Sequence, residues 1–302
     1  MDLTVNLGPL HLQNPVITAS GTFGWGEEYA SFFDPGSLGA VTVKGLTLKP
    51  KSGNPPPRLA ETPAGLLNSV GLANPGVDKF VNEILPSFKK HYNVPVIANI
   101  AGDTVEEYVE IAEMLNREKV AALELNLSCP NVAAGGMALG IDPFLTEKVT
   151  AKVRKKTSLP LIVKLTPNVT DITVIAKAAA NGGADILSLI NTLVGMDIDI
   201  DQKKPVFARK TAGLSGPAIR PIALASVFKV YEAVNLPLIG MGGIMDEKDA
   251  LKFILAGATA IAVGSANFYD PYSCLKIIEG LNRYGSKEGI SRISSLIGRA
   301  HQ

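Results

Sequence analysis

A chain of 302 residues with 46% hydrophobic content can bury a large core, in one barrel domain or two smaller domains, and is too apolar to remain disordered. Lys+Arg 29 against Asp+Glu 28 gives a formal charge of +1, so no global basic field marks a nucleic-acid binder. Its two cysteines, Cys129 and Cys274, make no disulfide framework and cannot by themselves supply the thiolate set of an iron–sulfur cluster.

In chain order, the first residues carry no positive region followed by an apolar one, and no uninterrupted apolar stretch of about 18 residues occurs anywhere. A soluble cytoplasmic protein is expected. Residues 5–12 read as a hairpin containing His11. Beyond it, short β-rich runs at 15–19, 40–44, 95–100, 120–127, 160–165, 185–190, 237–241 and 259–264 alternate with helix-compatible segments at 27–33, 77–91, 104–117, 144–156, 171–181, 221–234, 246–256 and 272–284. This alternation predicts parallel strands joined by crossover helices, closed as a (β/α)8 TIM barrel. An open doubly wound sheet is the alternative, but Gly21-Thr22-Phe23-Gly24-Trp25-Gly26 lacks the Gly-x-Gly-x-x-Gly spacing such a sheet uses for dinucleotides. The segment 49–58, rich in Pro and Lys, resembles a linker. Both of its sides continue the same alternation, so the expectation is one domain over 1–302. Three connections, 45–74, 128–143 and 191–220, exceed simple βα turns and follow strand C-termini, where they are expected to wall a site.

The most informative stretch is Glu124-Leu125-Asn126-Leu127-Ser128-Cys129-Pro130-Asn131. Leucines alternate with polar residues at the strand period, and Pro130 breaks the strand, so Cys129 is expected in the following loop. A carboxylate, an amide and a hydroxyl on one strand face are costly to bury without partners. The other strand ends supply Ser20, Lys44 with Gly45, Asn99, Lys164, Ile190 with Asn191 and Thr192, Gly242-Gly243 and Gly264-Ser265. Collected on one face of a barrel, these make an amide-rich pocket with two lysines, suited to a planar anionic ligand. The glycine turns after the seventh and eighth strands are the recurrent phosphate site of such barrels, where backbone N–H groups and a helix start near Asp246 meet an anion. None of the histidines, His11, His91 and His301, follows a predicted strand, so neither a Cys–His nucleophile pair nor a histidine metal site is expected.

Together with Asn68-Ser69-Val70-Gly71-Leu72-Ala73-Asn74-Pro75-Gly76 and Ala19-Ser20-Gly21-Thr22-Phe23-Gly24, these motifs resemble the dihydroorotate dehydrogenases, flavin enzymes of pyrimidine biosynthesis, over nearly the whole chain. The resemblance implies FMN held by Ser20, Lys44, Gly45, Asn99, Asn126, Lys164, Ile190, Gly216, Gly242, Gly243, Gly264 and Ser265. It implies substrate held by Lys44, Asn68, Ser69, Val70, Gly71, Leu72, Asn126, Asn191 and Thr192, with Cys129 as base and Lys44 and Lys164 beside it. A cysteine at that position is similar to the soluble class, since the membrane-associated class has serine there. Gly135-Gly136 and the run 53–63 look like the NAD-linked type 1B catalytic subunit, rather than the fumarate-linked type 1A homodimer. Type 1B implies a partner subunit carrying FAD and a [2Fe–2S] cluster, in a heterotetramer around a homodimer of this chain.

The side chains suit that chemistry independently. Oxidising dihydroorotate to orotate removes a proton from C5 and a hydride from C6. A thiol with an ordinary pKa of about 8.5 is a far better base than a serine, and a nearby lysine favours its thiolate. Asn68, Asn126 and Asn191 offer both donors and acceptors to a pyrimidine edge. Glu124 is expected deeper in the barrel, paired with a lysine beneath the flavin. Two rival readings are a flavin-free phosphate-binding lyase or isomerase using Lys164 as an amine nucleophile, and a non-catalytic barrel serving as an interaction platform.

Overall fold

The computed structural model describes residues 1–127 and 139–302. Eight parallel strands form one sheet: β1 (Val16–Thr18), β2 (Val41–Thr42), β3 (Val96–Ile100), β4 (Ala122–Asn126), β5 (Leu161–Leu165), β6 (Ile186–Leu189), β7 (Leu238–Met241) and β8 (Ala258–Val263). Each pairs with its neighbour in sequence, β8 pairs with β1, and a bridge between Ile17 and Ala40 joins β1 to the residue before β2. The sheet therefore closes into the expected barrel, with strand ends displaced by one or two residues at most. Strands β3, β5, β6 and β7 are buried along their whole length, as parallel strands covered by helices must be.

The covering helices are α1 over residues 77–91, α2 (Val105–Leu115), α3 (Pro143–Arg154), α4 (Ile172–Asn181), α5 (Arg220–Ala233), α6 (Glu247–Leu255), α7 (Ala266–Tyr269) and α8 (Ser273–Glu288). On α2 the buried residues Tyr108, Ile111, Ala112 and Leu115 recur at the spacing of one helix face. Side chains of Thr104, Asp142, Asp171 and Asp246 cap the N-termini of α2, α3, α4 and α6. In α1 a π turn spans Phe80–Ile84; Pro86 next to it has no N–H to return to the preceding turn, so the regular ladder is interrupted there.

The helix expected over 27–33 is instead a single 3-10 turn, Glu27–Tyr29. Gly24 and Gly26, both at positive φ, break the backbone before it and Asp34-Pro35 follows it. The aromatic residues of the segment pack as a cluster, with Phe23 stacked on Tyr29 at 4.1 Å between centroids. The hairpin Val5–Leu7 with Leu10–Leu12 forms as expected. Its Gly8 turn lies against Asp185, Ile186 and Pro237, at the strand N-termini, closing the end of the barrel opposite the site.

Two of the long insertions do more than loop. Leu59–Thr62 and Gly65–Asn68 from the first pair with Ala212–Ser215 and Leu193–Gly195 from the third as a four-stranded antiparallel sheet. This sheet stands beside the strand C-termini and has its own small core of Leu67, Phe207 and Ala212. Most of the remaining insertion, 128–143, lies outside the described residues. Among the described residues no helix is long and apolar enough to cross a membrane.

Candidate active site

Between the strand C-termini and the small sheet lies a cavity of about 1310 Å³, larger than the usual small-ligand pocket. Strand ends contribute Ser20, Lys44, Gly45, Asn99, Asn126, Lys164, Ile190, Asn191 and Thr192 to its lining. The small sheet and its turn contribute Asn68, Ser69, Val70, Gly71 and Leu72, and the glycine turns contribute Gly216, Gly242, Gly243, Gly264 and Ser265. These positions are scattered over nearly the whole sequence, and the barrel brings them to one space. Cys129 lies outside the described residues.

The cavity floor is polar. Register places Asn99 beside Glu124, and Lys164 between Asn126 and Ser188, so period-2 alternation on four adjacent strands turns these groups the same way. Glu124, 2% exposed, accepts hydrogen bonds from Asn99 Nδ2 at 2.5 Å and Ser188 Oγ at 2.7 Å. Lys164 Nζ stands 4.0 Å from Glu124 Oε2 and donates to Ser20 Oγ at 3.2 Å. The lysine expected beside Glu124 is thus Lys164. Asn99 is fully buried, yet its Oδ1 has no hydrogen-bond partner among the described residues.

Above the floor, Asn191 Nδ2 donates to Asn126 Oδ1 at 3.1 Å, and the Tyr108 hydroxyl of α2 donates to the Asn126 carbonyl at 2.7 Å, fixing the end of β4. Lys44 is half-buried and forms no ion pair among the described residues. Asn68 Nδ2 donates to Gly213 O at 3.1 Å within the small sheet. The turn after Asn68 is tight, with Gly71 and Leu72 both at positive φ (72° and 54°). A leucine in that region is strained and is held there by its surroundings.

At the far end, Gly243 has φ +75°, and a Cβ on it would stand 2.7 Å from the Gly216 carbonyl. Only glycine fits. At Gly264, by contrast, an added Cβ would meet only Ala19 Cβ, at 3.6 Å, and Thr22 Cγ2, at 4.0 Å, among the described residues, both ordinary contacts. The helix start expected near the anion carries its own acidic cap. Asp246 caps α6 by accepting from Asp249 N at 2.9 Å, which places its carboxylate where an anion would otherwise bind. The glycine turns, Gly216 and Ser265 line the same cavity.

The FMN implied by the motifs fits this donor set. A buried acceptor without a partner among the described residues faces Gly45, whose missing Cβ would lie 3.1 Å from Asn99 Oδ1, and the lysine floor and glycine cradle suit an anionic ring and a phosphate. Among the described residues no group of three or more His, Cys, Asp or Glu is placed to hold a metal ion. Cys274 is no rival to Cys129: it is fully buried, donates to Asn267 Oδ1 at 3.4 Å, and burial pushes its thiol up to about 12.

Sequence reasoning misses Ser188, Asn54 and Asn168. Ser188 carries the same alternation signal as Asn126, but on a strand whose polar residue looks isolated. Asn54 ties two loops together, donating to Ser69 O and Oγ at 3.0 Å and accepting from Arg209 Nε at 3.1 Å. Asn168 Nδ2 donates to Thr192 O at 3.0 Å and its Oδ1 accepts from Val194 N at 2.9 Å. These are loop-to-loop bonds, which no sequence period marks.

The family model of dihydroorotate dehydrogenase matches residues 2–284. Similar curated proteins include the dihydroorotate dehydrogenase B (NAD(+)) catalytic subunit of Desulforudis audaxviator (strain MP104C), 54% identical over 299 residues, covering 99% of this chain and 97% of that protein. The same-named subunit of Desulforamulus reducens is 54% identical over 302 residues, covering 100% and 99%. That of Thermoanaerobacter sp. (strain X514) is 55% identical over 298 residues, covering 99% and 98%.

Proposed function

This chain belongs to the dihydroorotate dehydrogenase family, and on that premise we propose that it oxidises dihydroorotate to orotate in pyrimidine biosynthesis, as the catalytic subunit of an NAD-linked enzyme. The observation that carries this reading is the single cavity lined by the amides, the two lysines and the glycine turns that the motifs single out.

FMN, when bound, supplies the acceptor for the hydride leaving C6. Gly242, Gly243, Gly264 and Ser265 hold its phosphate through backbone N–H groups and a hydroxyl, and Ser20, Lys44, Gly45, Asn99, Lys164, Ile190 and Gly216 hold the rest. Asn68, Asn126 and Asn191 bind the pyrimidine edge, each with a donor and an acceptor, while Ser69 to Leu72 and Thr192 close around it. Lys44, a half-buried cation without an acidic partner among the described residues, offsets the substrate carboxylate and favours the Cys129 thiolate. Cys129 takes the C5 proton.

Gly243→Ala is expected to leave a folded barrel that retains FMN at least tenfold more weakly. The added methyl forces a positive-φ position and meets the Gly216 carbonyl at 2.7 Å. Fluorescence titration of the apoprotein with FMN reads this.

The described residues contain no cluster of metal-ligating side chains and the sequence contains two cysteines, so the route from FMN to NAD is assigned to a second subunit. In this reading that subunit carries FAD and a [2Fe–2S] cluster, two copies of each chain form a heterotetramer, and the complex is cytoplasmic. Co-expression with such a subunit is expected to create dihydroorotate-dependent NAD reduction that the isolated chain lacks. Efficient fumarate reduction by the isolated chain, with no NAD reduction gained from the partner, would instead place it with the fumarate-linked type 1A enzymes.

A further inference from the structure

Three features of the cavity floor converge on Glu124. First, among the described residues its carboxylate meets the Asn99 amide at 2.5 Å, the Ser188 hydroxyl at 2.7 Å and the Lys164 ammonium at 4.0 Å. The carboxylate thus forms a buried ion pair with Lys164 while accepting two further hydrogen bonds. Second, an acceptor-only neighbour settles which end of the Asn99 amide faces it. The Nδ2 end turns to Glu124, and Oδ1 is left buried beside Gly45 at the cavity wall, with no partner among the described residues. Third, Lys164 is itself only 5% exposed, so little water screens the two charges from one another or from a ring bound above them.

We propose that Glu124 is a positioning residue of this site: its buried carboxylate holds Lys164 and turns the Asn99 carbonyl oxygen toward the cavity, and so sets the reduction potential of the bound flavin. The inference rests on the FMN reading above. Lys164 alone would favour the negative charge that reduction places on the ring. Glu124, of opposite sign and in the same low-dielectric floor, tempers that pull, and it leaves an acceptor at Asn99 for a ring N–H. The pair thus acts as a balanced dipole under the cofactor, poising the flavin between a substrate that reduces it and an acceptor that reoxidises it. Neither Asn99 nor Lys164 achieves this alone, because without the carboxylate the amide is free to present either end.

The test is spectroelectrochemical titration of the FMN-loaded chain. In E124Q the equilibrium constant for two-electron flavin reduction is expected to rise at least tenfold, about 30 mV for such a couple, with FMN content at the parent's level. Glu124→Asp, which keeps the charge, is expected to return the potential toward that of the parent. If E124Q does not fold because Lys164 is left without its counter-charge, the double variant E124Q/K164Q removes both charges and is compared with K164Q alone. The double variant is expected to show a reduction constant at least tenfold above that of K164Q. A potential in E124Q equal to the parent's, or in the double variant equal to K164Q's, overturns the proposal and leaves Glu124 a purely structural group. A parent chain that binds no FMN contradicts the flavin reading itself, which is a separate outcome visible before any variant is made.

Discussion

Cys129→Ala is expected to give a folded protein that retains FMN and binds orotate, yet reduces its flavin with dihydroorotate about 10²–10⁴-fold more slowly, the range by which a positioned general base accelerates proton transfer. The substitution deletes one sulfur and its proton and leaves the cofactor residues in place. C–H deprotonation next to a carbonyl has no substitute base in the floor, where Glu124 already accepts from Asn99 and Ser188 beside Lys164. In the parent enzyme the reduction rate is expected to rise with pH until the thiol is ionised, an ordinary cysteine thiol titrating at about 8.5. Anaerobic stopped-flow reduction, followed in parent and variant across pH, measures both effects. A variant with near-parental rates, or a flat pH profile when the chemical step limits, rules Cys129 out as the base.

Lys164→Ala carries the second large effect. Lys164 is buried, donates to Ser20 Oγ and lies 4.0 Å from Glu124, so its removal deletes a fixed cation and leaves a carboxylate without one. Both changes oppose negative charge on the ring. The reduction constant of the bound flavin is expected to fall about ten- to hundredfold, in line with a charge-assisted interaction of about 1.5–3 kcal/mol, and FMN is expected to dissociate more readily. A dye-equilibration titration gives the potential, and gel filtration followed by flavin assay gives the retention. Parent-like values in both place Lys164 outside the cofactor's reach and return it to the role of a structural lysine.

Much of the barrel is legible in the sequence because its signals are local. Period-2 leucines around Glu124 and Asn126, Pro at strand starts and Thr104, Asp171 and Asp246 before helical runs are each read without knowing what packs where. The small sheet is not legible, because its strands pair across insertions separated by more than a hundred residues. The segments 59–62 and 65–68 are also too short to declare a period. The segment 27–33 looks helical by composition, but Gly24, Gly26 and Pro35 confine it to one turn. At the site, strand ends announce the residues that line the cavity, since a polar residue there breaks an otherwise apolar run. What strand ends cannot announce is partnership. That Glu124 joins Asn99, Ser188 and Lys164 depends on register between four strands, and that Asp246 occupies its own helix start depends on a side-chain torsion.

The most direct measurement is the absorption spectrum of the purified chain before and after anaerobic addition of dihydroorotate. The expected result is a yellow protein that releases FMN on denaturation and whose flavin band bleaches with one equivalent of dihydroorotate per flavin, yielding orotate. A colourless protein, or a yellow one whose flavin stays oxidised in the presence of dihydroorotate, would contradict it.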